Sequence, residues 1–146
     1  MHITTSALRS RLLDAVVRKM DNELNVQLKA LPRSAKDPLR ALVLRVRAYI
    51  EKTQDPVFQQ IVFSDAPAVV KDAVITLSEI VQEAKDRGDV PKKISPTAIA
   101  TMLIGALSNA SKWVAAAPDD ADRAERLKAA THSVAELVKG LRVSTS

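Results

Sequence analysis

The stretch Asp55-Pro-Val-Phe-Gln-Gln-Ile-Val-Phe-Ser-Asp-Ala-Pro-Ala-Val-Val70 contains a short apolar helix, a polar break and the start of a second helix. Asp55 can cap the first helix, with Pro56 at its first position. The break supplies caps for the next helix, which restarts at Pro67. A broken apolar helix leaves backbone groups and polar side chains near a core, and such places often line cavities. The stretch therefore predicts a helical protein with a cavity.

The composition of the whole chain favours an all-α fold. The 146 residues are 47% apolar, whereas aromatic residues make up only 3% and glycine occurs three times. Sheets favour aromatic and β-branched side chains and need turn glycines, so this composition argues against them. The chain is long enough to bury one core. We therefore expect residues 1–146 to form a single all-α domain.

The sequence also bears on where the protein works. It has no cysteine, which excludes a disulfide framework, a thiolate metal site and a thiol nucleophile. Residues 1–10 lack the apolar core of a signal peptide. The longest apolar run, residues 98–107, is far shorter than the roughly 20 residues that span a bilayer. We expect a cytoplasmic protein with no membrane partner.

Positive charge is concentrated in the first third of the chain. Residues 1–52 contain 11 Lys and Arg against 5 Asp and Glu, a net charge of +6, whereas residues 53–146 have a net charge of −1. A basic segment can bind nucleic acid or an anionic membrane surface. Because the basic residues are spaced rather than clustered, the favoured interpretation is a solvated helix face.

Capping residues and apolar spacing predict six helices. A capping residue followed by proline occurs at Asp37-Pro38, Asp55-Pro56 and Ser95-Pro96, and Gly88 marks a helix end. The predicted helices are residues 5–31, 38–53, 56–63, 67–87, 96–117 and 119–141.

The last two predicted helices suggest close packing on more than one side. The helix over 96–117 has small or apolar residues on two sides, so we expect two packing partners. Gly105 costs about 1 kcal/mol in mid-helix relative to Ala, and a close helix contact would explain it. In the final helix, Leu127, Thr131, Val134, Val138 and Leu141 follow the spacing of near-parallel helix packing.

The side chains supply no recognisable catalytic set. The two histidines, His2 and His132, lie in different elements without acidic partners at metal-ligand spacing. There is no phosphate-binding glycine loop and no nucleophile elbow. We therefore expect no enzyme activity, no metal and no cofactor. Asp65 is either a helix cap or a polar group facing a cavity, and Trp113 is either a packing residue or a ligand contact.

Three segments resemble the regulatory domain of TetR-type transcriptional repressors. The first is the Asp55–Val70 stretch itself. The second, Leu103-Ile-Gly-Ala-Leu-Ser-Asn-Ala-Ser-Lys-Trp-Val114 with the following Pro118-Asp-Asp120, is similar to the next-to-last helix of that family and the turn after it. The third, Leu137-Val-Lys-Gly-Leu-Arg142, is similar to the last helix. The resemblance extends over nearly the whole chain from about residue 8.

This resemblance implies a homodimer that binds a small apolar effector. The last two helices would pair with those of a second subunit as a four-helix bundle, and the middle helices would enclose the ligand. Carried over by position, the candidate ligand-binding residues are Phe58, Ile61, Val62, Asp65, Leu77, Val81, Met102, Asn109 and Trp113. The candidate dimer contacts are Thr101, Gly105, Ser108, Leu127, Thr131, Val134, Val138 and Leu141.

One departure from the family pattern concerns DNA. TetR-type repressors begin with a helix-turn-helix domain, and no segment of this sequence reads as one, so we expect no sequence-specific DNA contact by this chain alone. The resemblance makes the basic first helix, with Arg9, Arg11, Arg18 and Lys19, the counterpart of the lever that moves the DNA-reading domain. An alternative is a stand-alone module that heterodimerises with a full-length TetR-type relative and inhibits its DNA binding.

Overall fold

Five α-helices make up the part of the chain that this computed structural model describes, residues 5–30, 37–56 and 67–143. They are α1 (Thr5–Ala30), α2 (Pro38–Lys52), α3 (Pro67–Asp86), α4 (Pro96–Ala115) and α5 (Asp120–Lys139). These ranges contain no strand, which confirms the all-α prediction. The five helices end within two residues of their predicted bounds. The remaining predicted helix, 56–63, falls almost entirely outside the described residues, so the count of six stays a prediction.

Three of the helices begin with a side-chain cap. Asp37 accepts a hydrogen bond at 3.0 Å from the backbone N–H of Arg40, and Ser95 accepts one at 3.2 Å from that of Ala98. In both cases a proline follows the cap, where its missing N–H costs nothing. Asp119 caps α5 in the same way but without proline. The cap-plus-proline pattern in the sequence therefore located the starts of α2 and α4.

α2 lies at the centre of the described helices and contacts all four of the others. Leu42, Val46 and Ile50, each one turn apart, are completely buried. Removing one such side chain from water contributes about 1.5–3 kcal/mol, so this helix anchors the core. The buried apolar cluster comprises Leu39, Leu42, Val43, Val46, Ile50, Leu77, Val81, Ala84, Val90, Ala100, Leu103, Ile104, Leu107, Val114, Ala130, Val134, Ala135 and Val138.

A pair of buried hydroxyls joins the end of α2 to α4. Thr53 Oγ1 lies 2.8 Å from Ser111 Oγ, and both side chains are fully buried. Thr53 Oγ1 also lies 2.7 Å from the carbonyl oxygen of Ile50, and Ser111 Oγ lies 2.8 Å from that of Leu107. Each hydroxyl has one proton, so one hydroxyl donates to the other, which donates to its own helix carbonyl. The pair fixes α4 against α2.

α3 ends at the glycine that the sequence marked. Gly88 has a φ of +80°, a backbone conformation that favours glycine. The backbone N–H of Asp89 then donates to the carbonyl of Ala84 at 2.9 Å and closes the end of the helix. The chain turns inward after Gly88, as the burial of Val90 in the core shows.

The residue that caps α2 also forms a long-range ion pair. Arg142 Nη2 lies 2.9 Å from Asp37 Oδ1. Burial opposes ionisation of Asp37. The hydrogen bonds from Arg40 N–H and Arg142, together with the charges of Arg142 and Arg87, outweigh that effect and hold the pKa of Asp37 below its ordinary value of 3.8. Asp37 is therefore an anion throughout the neutral range.

Removing either hydroxyl of the Thr53–Ser111 bond should lower the unfolding free energy, and the two losses should not add. We expect Thr53→Val and Ser111→Ala each to lose about 1 kcal/mol of unfolding free energy, the net value of one protein hydrogen bond. Because both remove the same bond, the double variant should lose less than the sum. Urea denaturation followed by circular dichroism measures this. Ser78→Ala, which removes a hydroxyl bonded to its own helix at the surface, is the control, and strictly additive losses would contradict the pairing.

The Asp37 carboxylate should make stability depend on pH in acid. Because folding lowers the pKa of Asp37, its contribution to the unfolding free energy is fully present above pH 3.8. That contribution is lost as the pH falls through the lower pKa that Asp37 has in the folded protein. We expect Asp37→Asn, which preserves the cap, to cost about 1 kcal/mol at pH 7. The difference from wild type should shrink as the pH falls below 3.8. Urea titrations at several pH values test it, and a difference that grows in acid would disprove it.

Candidate functional site

The outer side of α4 carries almost no charge. Nine of its positions are exposed, and only one of them, Lys112, is charged. On α3, by contrast, five of the seven exposed positions from 71 to 86 are charged. A solvated helix face is normally rich in charge. We call the nine exposed residues of α4 the outer face: Thr97, Ala98, Thr101, Met102, Gly105, Ala106, Asn109, Lys112 and Trp113.

Large apolar side chains are exposed on the outer face and on α5. Met102 is 61% exposed and Trp113 is 48% exposed, and Leu137 on α5 is 67% exposed. Single exposed apolar residues are common on protein surfaces. Two of them on a helix face with one charge leave a surface that is large, exposed and poor in charge, and exposed apolar surface can mark an interaction site.

Gly105 has no packing role among the described residues. Apart from the backbone of its own helix, a Cβ atom built at this position would meet none of their heavy atoms within 4 Å. Glycine in mid-helix costs about 1 kcal/mol relative to alanine, and the described contacts of the chain do not explain that cost. A glycine on an exposed face instead allows the backbone of another helix to approach closely.

Arg126 on α5 fixes the end of α4. Its guanidinium lies 5.0 Å from the ring centroid of Trp113, and its Nη1 donates to the Trp113 carbonyl oxygen at 2.7 Å. A cation over an indole ring contributes about 0.5–1 kcal/mol at an exposed site. The two contacts hold Trp113 at the surface. The sequence reasoning missed Arg126, because only the register across the turn between α4 and α5 brings it to Trp113.

The predicted dimer contacts lie on two different sides of the structure. Thr101 and Gly105 are exposed on the outer face. Ser108 is half-buried and hydrogen-bonded to the side chain of Tyr49. Burial raises the pKa of Tyr49 above its ordinary value, and this bond offsets part of the rise. On α5, the side chains of the predicted seam face the core of their own chain: Thr131, Val134 and Val138 are buried, and Leu127 and Leu141 are half-buried against the core.

The predicted ligand contacts are also separated. Leu77 and Val81 are buried on the inner side of α3. Met102, Asn109 and Trp113 lie on the outer face of α4. Among the described residues the two groups are therefore apart, one in the core and the other at the surface. The other four candidates, Phe58, Ile61, Val62 and Asp65, lie outside the described residues.

An open groove of about 510 Å³ lies between α1 and α2. Four of its seven lining side chains are charged, which does not suit an apolar effector, because small-molecule sites are mostly apolar and enclose their ligand. The lining residues are Glu23, Gln27, Leu44, Arg47, Ala48, Glu51 and Lys52.

Comparison with known proteins gives the family. Residues 39–141 match the family described as Tetracyclin repressor-like, C-terminal domain. The chain belongs to the TetR family of transcriptional regulators. The crystal structure of a TetR-family transcriptional regulator from Pectobacterium atrosepticum is similar, with a TM-score of 0.67 and 26% sequence identity. The similarity covers 92% of this chain and 72% of that one. No curated protein matches the chain.

The TetR assignment agrees with the resemblance that the sequence carries, and it makes α2 to α5 part of a regulatory C-terminal domain. Within the described ranges, no group of three or more His, Asp or Glu residues is arranged to hold a metal ion. None of the helices in these ranges is long and apolar enough to cross a membrane.

Proposed function

We propose that this TetR-family regulatory domain homodimerises through the outer face of α4 and binds a small apolar effector. The dimer rests on one observation: an exposed helix face with a single charge among nine residues, and with a glycine that the packing of the chain does not require. Covering the face would remove Met102 and Trp113 from water. Close approach at Gly105 would let two copies of α4 pack backbone to backbone.

A second copy of the chain is the partner that suits this face. Most soluble oligomers are symmetric dimers in which the same patch meets itself. On α5, which packs against α4, the exposed positions carry both signs of charge, including Glu125, Lys128, Glu136 and Lys139. A border of mixed sign is complementary to itself, and apolar centres with polar borders are typical of protein interfaces.

The effector site that we propose lies on the inner side of α3. Leu77 and Val81 point into the core there, and the stretch with Phe58, Ile61, Val62 and Asp65 directly precedes this helix in the sequence. Such side chains would bind an apolar molecule, with Asp65 as a polar contact. In this proposal Met102, Asn109 and Trp113 belong to the dimer contact instead.

The proposed role is regulatory rather than catalytic. The domain would act in the cytoplasm, without cofactor or metal, and residues 1–146 would behave as one unit. The described helices would report effector binding to a DNA-reading partner or module, and they would not read DNA sequence themselves.

Enlarging Gly105 should separate dimerisation from folding. We expect Gly105→Leu to weaken the dimer by at least about 2 kcal/mol, because the added side chain blocks close helix approach. The Cβ position is open within the chain, so unfolding free energy extrapolated to the monomer should stay equal or rise by up to about 1 kcal/mol. Sedimentation equilibrium and urea denaturation measure the two quantities.

The matched control adds a leucine to a charged face instead. Gln82→Leu places the same apolar side chain on the exposed side of α3 and should leave the dimer dissociation constant unchanged within about twofold. A wild-type chain that is monomeric at micromolar concentration contradicts the dimer. Equal weakening by both variants contradicts its assignment to α4.

A fluorescent probe should distinguish the two halves of the predicted ligand set. We expect 1-anilinonaphthalene-8-sulfonate to bind one site per chain. Phe58→Ala should weaken this binding about tenfold, or about 1.4 kcal/mol, because the variant removes an apolar wall of the proposed site. Met102→Ala, on the outer face, should not change it. Fluorescence titration measures the affinity. If Met102→Ala loses binding and Phe58→Ala does not, the probe binds at the outer face, which contradicts the proposed site.

A further inference from the structure

The segment after α5 is held at two points by residues distant in the sequence. Arg142 Nη2 contacts Asp37 Oδ1 at 2.9 Å, across 105 positions of the chain. One residue later, the backbone N–H of Val143 donates to the carbonyl oxygen of Asp89 at 2.8 Å. These two contacts tie the segment 140–143 both to the start of α2 and to the connection between α3 and α4.

A single carboxylate oxygen, Asp37 Oδ1, both caps α2 and binds Arg142. Asp37 Oδ1 accepts the capping hydrogen bond from the Arg40 N–H at 3.0 Å, and it accepts the bond from Arg142 at 2.9 Å. The orientation that caps the helix is therefore the one that Arg142 holds. Loss of Arg142 frees the carboxylate to rotate away from the cap, and an unmade cap weakens the first turn of a helix.

The second attachment point contains an incompletely satisfied charge. Asp89 Oδ2 is a buried atom for which the described residues offer no hydrogen-bond partner. Arg87 Nε forms an ion pair with it at 3.4 Å. The side chains of Arg87 and Arg142 are 48% and 47% exposed, so water competes for both guanidinium groups. Contacts of this kind can open while the apolar core stays closed.

The location of these contacts gives them a consequence for α1. Asp37 is the first described residue after α1, and the six positions 31–36 connect the two. The residue that Arg142 holds is therefore the first described residue of the chain after α1. α1 contacts α2 and α3 and leaves basic side chains such as Arg11 and Arg18 exposed.

We propose that residues 140–143 form a clasp that couples the end of α5 to the start of α2. When the clasp is closed, Arg142 keeps the Asp37 cap formed and the first turn of α2 fixed. When the clasp opens, the first turn of α2 loosens, while the core around α2, α3 and α4 remains folded. The clasp thus lets an event at the end of α5 reach the start of α2, the part of the core that follows α1 along the chain.

Hydrogen exchange of the full chain, followed by mass spectrometry or NMR, tests this coupling. Arg142→Gln should speed exchange at the amides of Arg40, Ala41 and Val143 by on the order of tenfold. Amides in the middle of α4 should be unaffected. Lys139→Gln is the matched control: it removes a positive charge from the same end of α5, where Lys139 pairs only locally with Glu136. This variant should change exchange at the start of α2 by less than about twofold.

A second pair of variants separates coupling from general destabilisation. Asp37→Asn retains a capping side chain and removes the charge, so it should reproduce the effect of Arg142→Gln at Val143. The double variant should add little to either single one. The proposal is overturned if Arg142→Gln affects Val143 but leaves Arg40 and Ala41 unchanged. It is equally overturned if Lys139→Gln has the same effect, or if exchange rises uniformly over all helices.

Discussion

Packing of α2 against all four of the other described helices is the constraint on which the rest of the structure depends. The helix is only 15 residues long, yet it contacts all four other described helices and supplies the completely buried Leu42, Val46 and Ile50. α3, α4 and α5 each contribute buried apolar residues to the core around α2. At its end, the buried Thr53–Ser111 pair adds a directional contact that apolar packing alone cannot supply. The orientation of α4 follows from these two requirements.

Fixing α4 in this way determines which of its sides remains for a partner. The inner side, with Leu103, Leu107 and Val114, is buried in the core. The outer side is left with Met102, Gly105 and a single charge. α5 differs from α4, because its regular apolar row packs inside the chain and its exposed side carries charges of both signs. A dimer built on this surface would centre on α4 and be bordered by α5.

Local signals in the sequence predicted the helices, but they did not predict which residues distant in the sequence contact each other. Cap-plus-proline pairs and Gly88 located helix ends because their chemistry acts within one turn. Periodicity also indicated that Val134 and Val138 are buried, but it could not say whether they pack within the chain or against a partner. The small residues of α4 predicted packing on two sides; the inner side packs in the core, and packing of the outer side stays a prediction. The contacts of Arg126 with Trp113 and of Arg142 with Asp37 left no trace in the sequence pattern, because they depend on the final packing.

Cysteine cross-linking along α4 tests the central claim, that its outer face meets a second copy. The chain has no native cysteine, so Thr101→Cys, Gly105→Cys and Asn109→Cys each introduce a single thiol, and Gln82→Cys does the same on α3. Disulfides form only when the two Cα atoms come within about 7 Å. Under mild oxidation, the account predicts covalent dimers at one or more of the α4 positions and none at Gln82→Cys. Covalent dimers at Gln82→Cys in equal yield, or at none of the α4 positions, would contradict it.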